Sequence, residues 1–293
     1  MATTTTLKRV QQVRPSPPGH WVGDGFPVQT VFSYQDVGPA MSPFLLLDYA
    51  APFEFPPSDQ PGGVEEHPHR GFETVTIVYQ GALEHRDSGG NHGVIGPGDV
   101  QWMTAASGVV HEEFHEQEFA RRGGVFEVVQ LWVNLPARHK MSPPRYQTLL
   151  NRSIPAVQLA GGAGTVRVIA GEFQGHPGPA RTFTPIHLWD VRLRKDALAE
   201  FSLPDGHTAG VFVLNGGIRL NGSEDVGSAE LAVLDRSGQQ VSMETVDDSK
   251  VLILSGEPID EPVAGRGPFV MNTDEEIRQA ILDYQSGLMG RLT

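Results

Sequence analysis

From Phe72 to Pro136 the chain is a succession of short runs rich in β-branched and aromatic residues: FETVTIVYQ, ALEHRDS, NHGVIGPGDVQWM, VVHEEF and VFEVVQLWVNLP. Glycine- and proline-bearing turns separate them, the Gly96-Pro97-Gly98-Asp99 turn among them, and no helical period intervenes. Short strands at such close spacing leave an antiparallel barrel or sandwich as the fold. A second series follows: VRVIAGEF, RTFTPIHLWDVRL, AEFSLP, AGVFVLNGGIRLNG, AELAVLD, QQVSMET and SKVLILSGEP. IVYQGALEHRD and VFVLNGGIRLNG share the order strand, glycine turn, strand, a weak internal repeat that predicts two stacked barrels.

A chain of 293 residues has room for two domains of about 130 residues each. The predicted division is a first barrel over 1–136, a proline- and glycine-punctuated crossover over 137–165 that belongs to neither strand series, a second barrel over 166–272, and a terminal helix over 273–293. Thr273 and Glu276 form a capping-box pattern, with Asp274 and Glu275 in the first turn. Ile277, Ile281, Tyr284 and Leu288 follow at helical spacing as a packing stripe. At the other end, residues 1 to about 17 are polar, end in RPSPPG and read as a mobile or extended arm. WVGDGFPVQTVFSY reads as a strand pair, SPFLLLDYA as a short buried run, and PFEFPPSDQPGG as a loop whose prolines prevent regular pairing.

A formal net charge of −13, with no run of basic residues, argues against direct nucleic-acid binding. The absence of cysteine excludes disulfides, iron–sulfur clusters and thiolate zinc sites. The N-terminal stretch has no apolar signal core, and no stretch approaches the roughly 18 apolar residues of a membrane span. The expectation is a soluble cytoplasmic protein.

The chemistry gathers between residues 63 and 114. Residues i and i+2 of a strand point to one face, so His67 with His69, and His111 with Glu113, are two pincers of ligand-type side chains. Three neutral imidazoles and a carboxylate suit a divalent first-row metal in an open octahedral site with positions left for water or substrate. Such a site should lose affinity as pH drops below about 6.5. Glu112 should face the opposite side of the strand. Glu73 shares parity with His69 but lies ~13 Å further along a straight strand, so it could reach the metal only through a bulge or sharp bend. His115 has the parity of His111 and is a candidate pocket residue; His85 and His92 lie near in sequence. Trp102 and Met103 read as barrel core. The second series has no equivalent pair, and His187 and His207 read as structural or surface residues.

Several blocks resemble the pirin family, a branch of the bicupins: SPFLLLDYAAPFEF, HPHRGFETVT, GPGDVQWMTAASGVVHEE, VQLWVNLP and GEPIDEPVAGRGPFVMNTDEEIRQAI. They run in order through both halves of the chain. The resemblance implies an all-β fold of two tandem cupin barrels with a C-terminal helix that returns to the first barrel. It implies iron bound through His67, His69, His111 and Glu113, and it selects Glu113 over Glu73. Fe(II) is the expected ion, with Mn, Ni, Cu, Co or Zn as other divalent candidates. Arg70, in the same block, is either an ion-pairing or surface arginine or a substrate contact.

Several pirin-like proteins are quercetin 2,3-dioxygenases, which open a flavonol with O2 and release carbon monoxide. The implied function is an oxidoreductase of this type, with Glu113 as the base that takes the flavonol proton. The alternative is an iron-binding, redox-responsive regulator that binds a transcription factor or metabolic enzyme. A sugar-type cupin isomerase fits less well, because the second barrel carries no site.

Overall fold

The computed structural model describes residues 6–292 and divides into two compact units. One comprises Pro18–Phe32, Phe44–Asn151 and Ile259–Thr293; the other comprises Met1–Pro17, Ser33–Pro43 and Arg152–Pro258. Each is a cupin domain built from a seven-stranded and a four-stranded antiparallel sheet.

In the first unit the larger sheet runs Arg145–Leu149, Val100–Thr104, Phe72–Gln80, Gly124–Asn134, Phe44–Phe55, Phe26–Ser33, Gly19–Val22. The smaller runs Gly63–His69, Val109–His115, Leu83–Asp87, His92–Ile95. Phe26, Val28, Val78, Leu83, Ile95, Phe119, Phe126 and Val128 form an apolar cluster in this unit. Polar side chains interrupt the same strands: Thr76, Gln101, His111, Glu113 and Gln130. A strand interior tolerates such groups only where each finds a partner.

The second unit repeats the arrangement. Thr208–Asn215 and Gly217–Leu220 stand in its two sheets as Phe72–Gln80 and Leu83–Asp87 stand in the first, which is the repeat read from the sequence. Its apolar cluster includes Trp189, Phe201, Met243 and Ile253, all buried, and among the described residues it has no metal-binding group of the kind the first unit has.

Four local expectations are corrected. The expected loop after Ala51 is strand as far as Phe55, pairing Phe53 with Phe126 and Glu54 with Val125. A register shift between these pairs and Ala50–Val128 accommodates Pro52, which cannot donate to a regular ladder. The supposed crossover supplies a strand to each unit: Arg145–Leu149 pairs with Val100–Thr104, and Ala156–Gln158 with Gly164–Ala170. A helix, α1 (Gln117–Arg122), stands between the strands; the Glu116 carboxylate accepts from the amides of Glu118 and Phe119. Residues 1–5 of the expected arm lie outside the described residues, but Val10–Arg14 pairs with Glu230–Leu234 as an edge strand of the second unit. Buried Lys8 donates there to the carbonyls of His207, Asp235 and Arg236. Each unit thus draws on segments that are distant in sequence.

The terminal helix, α2 (Asp274–Gln285), begins with the expected capping box on Thr273 and Glu276. Its buried face is Ile277 and Ala280, packed with Val110, Phe269 and Met271. The stripe ends early. Gly287 (φ 76°) lies just past the helix, Tyr284 is 37% exposed and Leu288 73% exposed, and Met289 packs inward.

Candidate metal centre

Gly63–His69 and Val109–His115 pair antiparallel with His67 opposite His111 and His69 opposite Val109. The rings of His67, His69 and His111 meet, with centroids 4.3–4.9 Å apart. Their ligand nitrogens lie within 4.8 Å of one another. The register shifts between His111 and Glu113, so that Glu113 faces Val64. Glu113 forms a second group, within 4.8 Å of His111 and His85; the four expected residues do not all fall within one group at that distance.

The hydrogen bonds of the imidazoles decide which nitrogens are free. His67 Nδ1 lies 2.8 Å from the Glu65 carbonyl and His69 Nδ1 3.1 Å from the Pro268 carbonyl. A carbonyl only accepts, so both Nδ1 atoms carry a proton, and the lone pair of the neutral ring is then on Nε2. His111 Nε2 is buried and has no hydrogen-bond partner, a costly state for a polar atom that is to stay unpaired. Burial pushes His69 down to about 3, with the neighbouring His67 adding to the effect and the Pro268 carbonyl opposing it. Burial, followed by the other histidines, also holds His111 well below the usual imidazole range. Neutral imidazoles with inward lone pairs and one unsatisfied buried nitrogen are what a divalent ion requires. The donor set fits a metal.

Glu113 is gripped by two amides: Gln101 Nε2 donates to Oε1 at 2.8 Å and Gln130 Nε2 donates to Oε2 at 3.0 Å. The one proton of the Thr76 hydroxyl goes to Gln130 Oε1 at 2.9 Å, the nearer acceptor, with Glu113 Oε1 at 3.3 Å. Tyr146 Oη in turn donates to Gln101 Oε1 at 3.0 Å. Reading by residue type passes over these partners. Gln130 could have been found as a lone amide in the apolar run VVQLWVN; Tyr146 could not, because its strand lies in the supposed crossover.

A cavity of about 220 Å³ opens onto His67, His69 and Glu113. Val22, Phe26, Val28, Val64 and Trp132 make its apolar walls, and Gly267 with Pro268 its rim. Asp48 adds a second acid to the wall. Burial raises its carboxyl, partly offset by the Thr30 hydroxyl, which donates to Oδ1 at 2.6 Å.

The remaining candidates are elsewhere. Glu73 is buried and absent from the cavity wall; Thr104 Oγ1 donates to it at 2.6 Å. Arg70 is buried rather than on the surface, paired with Asp283 at 2.7 Å and donating to the Ser107 carbonyl. His115 bonds the Gly25 carbonyl among Phe26, Phe55, Phe119 and Phe126, away from the cavity. His92 is exposed beside Glu84. Glu112 lines an outer cleft with Glu84 and Arg86. Trp102 and Met103 are core. His187 accepts from the Glu172 amide, with the His207 ring 6.1 Å away. Among the described residues, neither joins a metal-binding group.

Fold and site together define a two-cupin protein with a histidine-lined pocket in one of its units. The chain belongs to the pirin family: the Pirin family model matches residues 25–133 and that of the Pirin C-terminal cupin domain residues 188–290. It is 55% identical over 281 residues to the "Putative quercetin 2,3-dioxygenase PA2418" of Pseudomonas aeruginosa, covering 96% of this chain and 98% of that one. It is similar to the crystal structure of quercetin 2,3-dioxygenase from Acinetobacter baumannii, with a TM-score of 0.96 and 48% identity over 98% of this chain and all of that one. The bacterial pirin YhhW of Escherichia coli, solved in complex with nickel(II), shares the fold at 20% identity, with a TM-score of 0.64 over 85% of this chain and 99% of that one. No helix among the described residues is long and apolar enough to cross a membrane.

Proposed function

We propose that this protein is a metal-dependent dioxygenase that opens flavonol-type substrates with O2, with His67, His69, His111 and Glu113 as metal ligands and Glu113 also as proton acceptor. The observation that carries this reading is the convergence of three imidazoles, two of them lining an apolar cavity that also has the Glu113 carboxylate in its wall. His85 is left out of the ligand set because Asp87 and His111 already face its two ring nitrogens. The bound ion, Fe(II) in the first instance, supplies Lewis acidity toward a substrate hydroxyl and an electronic route to O2. The names of the Pseudomonas and Acinetobacter relatives support the substrate class, and the nickel complex of YhhW supports a divalent ion.

The side chains divide the remaining work. Glu113 Oε1 accepts from Gln101 and Oε2 from Gln130, which leaves one lone pair on each oxygen, one for the ion and one to take a hydroxyl proton. Trp132, Phe26, Val28 and Val64 hold an aromatic ring and keep water from the reacting face. A cavity of about 220 Å³ is smaller than most drug-sized sites. The hydroxylated end of a flavonol enters it, and the pendant ring stays at the rim beside Gly267 and Pro268.

The test is turnover. Iron-reconstituted protein should consume one O2 per quercetin and release carbon monoxide. Glu113→Gln should bind iron more weakly and lose roughly 100-fold or more in rate. Fully iron-loaded protein that leaves flavonols and smaller phenols untouched sinks the proposal. A protein partner retained in only one oxidation state of the iron would put the regulatory reading in its place.

A further inference from the structure

We infer that Asp87 and His85 form a relay that holds the proton of His111 on Nδ1 and so presents Nε2, the metal-facing nitrogen, as a lone pair. His67 and His69 have their tautomers set directly by backbone carbonyls, but His111 has no carbonyl on its Nδ1. Its Nδ1 lies instead 3.5 Å from His85 Nδ1, the long end of hydrogen-bonding distance. Two imidazole lone pairs repel at this separation, so one of the two nitrogens must carry hydrogen and the other accept.

Asp87 decides which. Its Oδ1 accepts from the amides of Gly89 and Asn91 and from Asn91 Nδ2; its Oδ2 accepts from Asn91 Nδ2 at 2.9 Å and lies 3.1 Å from His85 Nε2. A carboxylate surrounded by donors acts as acceptor only, so His85 Nε2 carries hydrogen and donates to it. Neutral His85 then has its lone pair on Nδ1, His111 donates to it from Nδ1, and His111 Nε2 is left without hydrogen. That nitrogen is the buried atom with no partner.

The strand register builds the relay. Leu83–Asp87 pairs with Val109–His115 so that Asp87 faces His111 and His85 faces Glu113. Tyr146 stacks on His85 at 4.9 Å and 21°, fixing its plane, while its hydroxyl supports Gln101 behind Glu113. Gly93 makes room for that hydroxyl: a Cβ there would lie 2.2 Å from Tyr146 Oη. Asp87 and His85 are positioning residues and do not touch the ion.

The relay rests on reading His111 as a metal ligand, but its tautomer can be read without metal. Long-range imidazole ¹⁵N–¹H correlation spectra of metal-free protein should show His111 as the Nδ1–H tautomer. In Asp87→Asn the amide can donate to His85 Nε2, reverse the relay and move the His111 proton to Nε2. Asp87→Asn and His85→Phe, which keeps the stack on Tyr146, should each weaken Ni(II) binding by ~10–100-fold in titration calorimetry while unfolding near the wild-type midpoint. An Nε2–H His111 in the wild type, or the same tautomer in wild type and Asp87→Asn, overturns the relay. Unchanged Ni(II) affinity in both variants also overturns it. Wild-type protein that shows the Nδ1–H tautomer yet binds no Ni(II) keeps the relay and refutes the metal reading instead.

Discussion

The carbonyl of Pro268 accepts the Nδ1–H of His69 at 3.1 Å although 199 residues separate the two in sequence. The last segment of the chain thereby takes part in the site. Gly71, directly after the HPHR run, lies against the Val270 carbonyl so closely that a Cβ would sit 1.9 Å from its oxygen. Lys140 ties the same place together, donating to the Gly71 and Val270 carbonyls and to Asn134 Oδ1 at 2.7–3.0 Å.

Lys140→Met should therefore act on the metal as well as on stability. It leaves three buried acceptors without their donor, a cost of about 3 kcal/mol. By loosening the turn that carries Pro268 it should also speed Ni(II) release. Urea denaturation and a chelator chase measure the two effects. Lower stability with unchanged release would show that this turn does not set His69.

Glu73 should make stability depend on pH without touching the metal. Burial pushes its carboxyl up to about 7 from 4.5, against the hydrogen bond from Thr104 and the charge of Arg145. Between these values the folded protein binds the proton more tightly than the unfolded chain. The contribution is complete below pH 4.5 and is lost as pH rises through about 7, by up to about 3 kcal/mol. Glu73→Gln should remove this decline. The difference in unfolding free energy between wild type and variant at pH 5 and pH 8 isolates it, and metal content should not change.

Metal binding should tolerate acid better than three ordinary imidazoles allow. Such a site loses about tenfold per ligand at one pH unit below 6.5, or ~1,000-fold in all. His69, pushed down to about 3, and His111, held well below its usual range, are already neutral there. Ni(II) affinity at pH 5.5 should therefore fall by far less than ~1,000-fold. A drop near that figure would mean the imidazoles take up protons together.

Gln130→Leu should separate orientation from binding. It removes the one hydrogen bond to Glu113 Oε2, leaves that from Gln101 to Oε1, and frees the Thr76 hydroxyl to turn to Glu113 Oε1. Under the proposed function kcat should fall about tenfold or more with little change in metal content. A changed KM with unaltered kcat would assign Gln130 to substrate binding alone.

Alternation along two strands determined most of what is named at the centre. A period of two places His67 with His69 and His111 with Glu113, and it turns Glu112 away whatever the rest of the fold does. The capping box of the terminal helix and the strand–turn–strand repeat were legible for the same reason, because neighbours in sequence settle them. Only the tertiary structure decided what stands behind those residues. Tyr146 reaches Gln101, Pro268 reaches His69 and Asp283 reaches Arg70 through sheet and hairpin pairings that carry no local pattern. The edge strands Val10–Arg14 and Arg145–Leu149 belong to this second class as well. A sequence period records which face a side chain occupies; which partner meets it there depends on where distant strands are laid down.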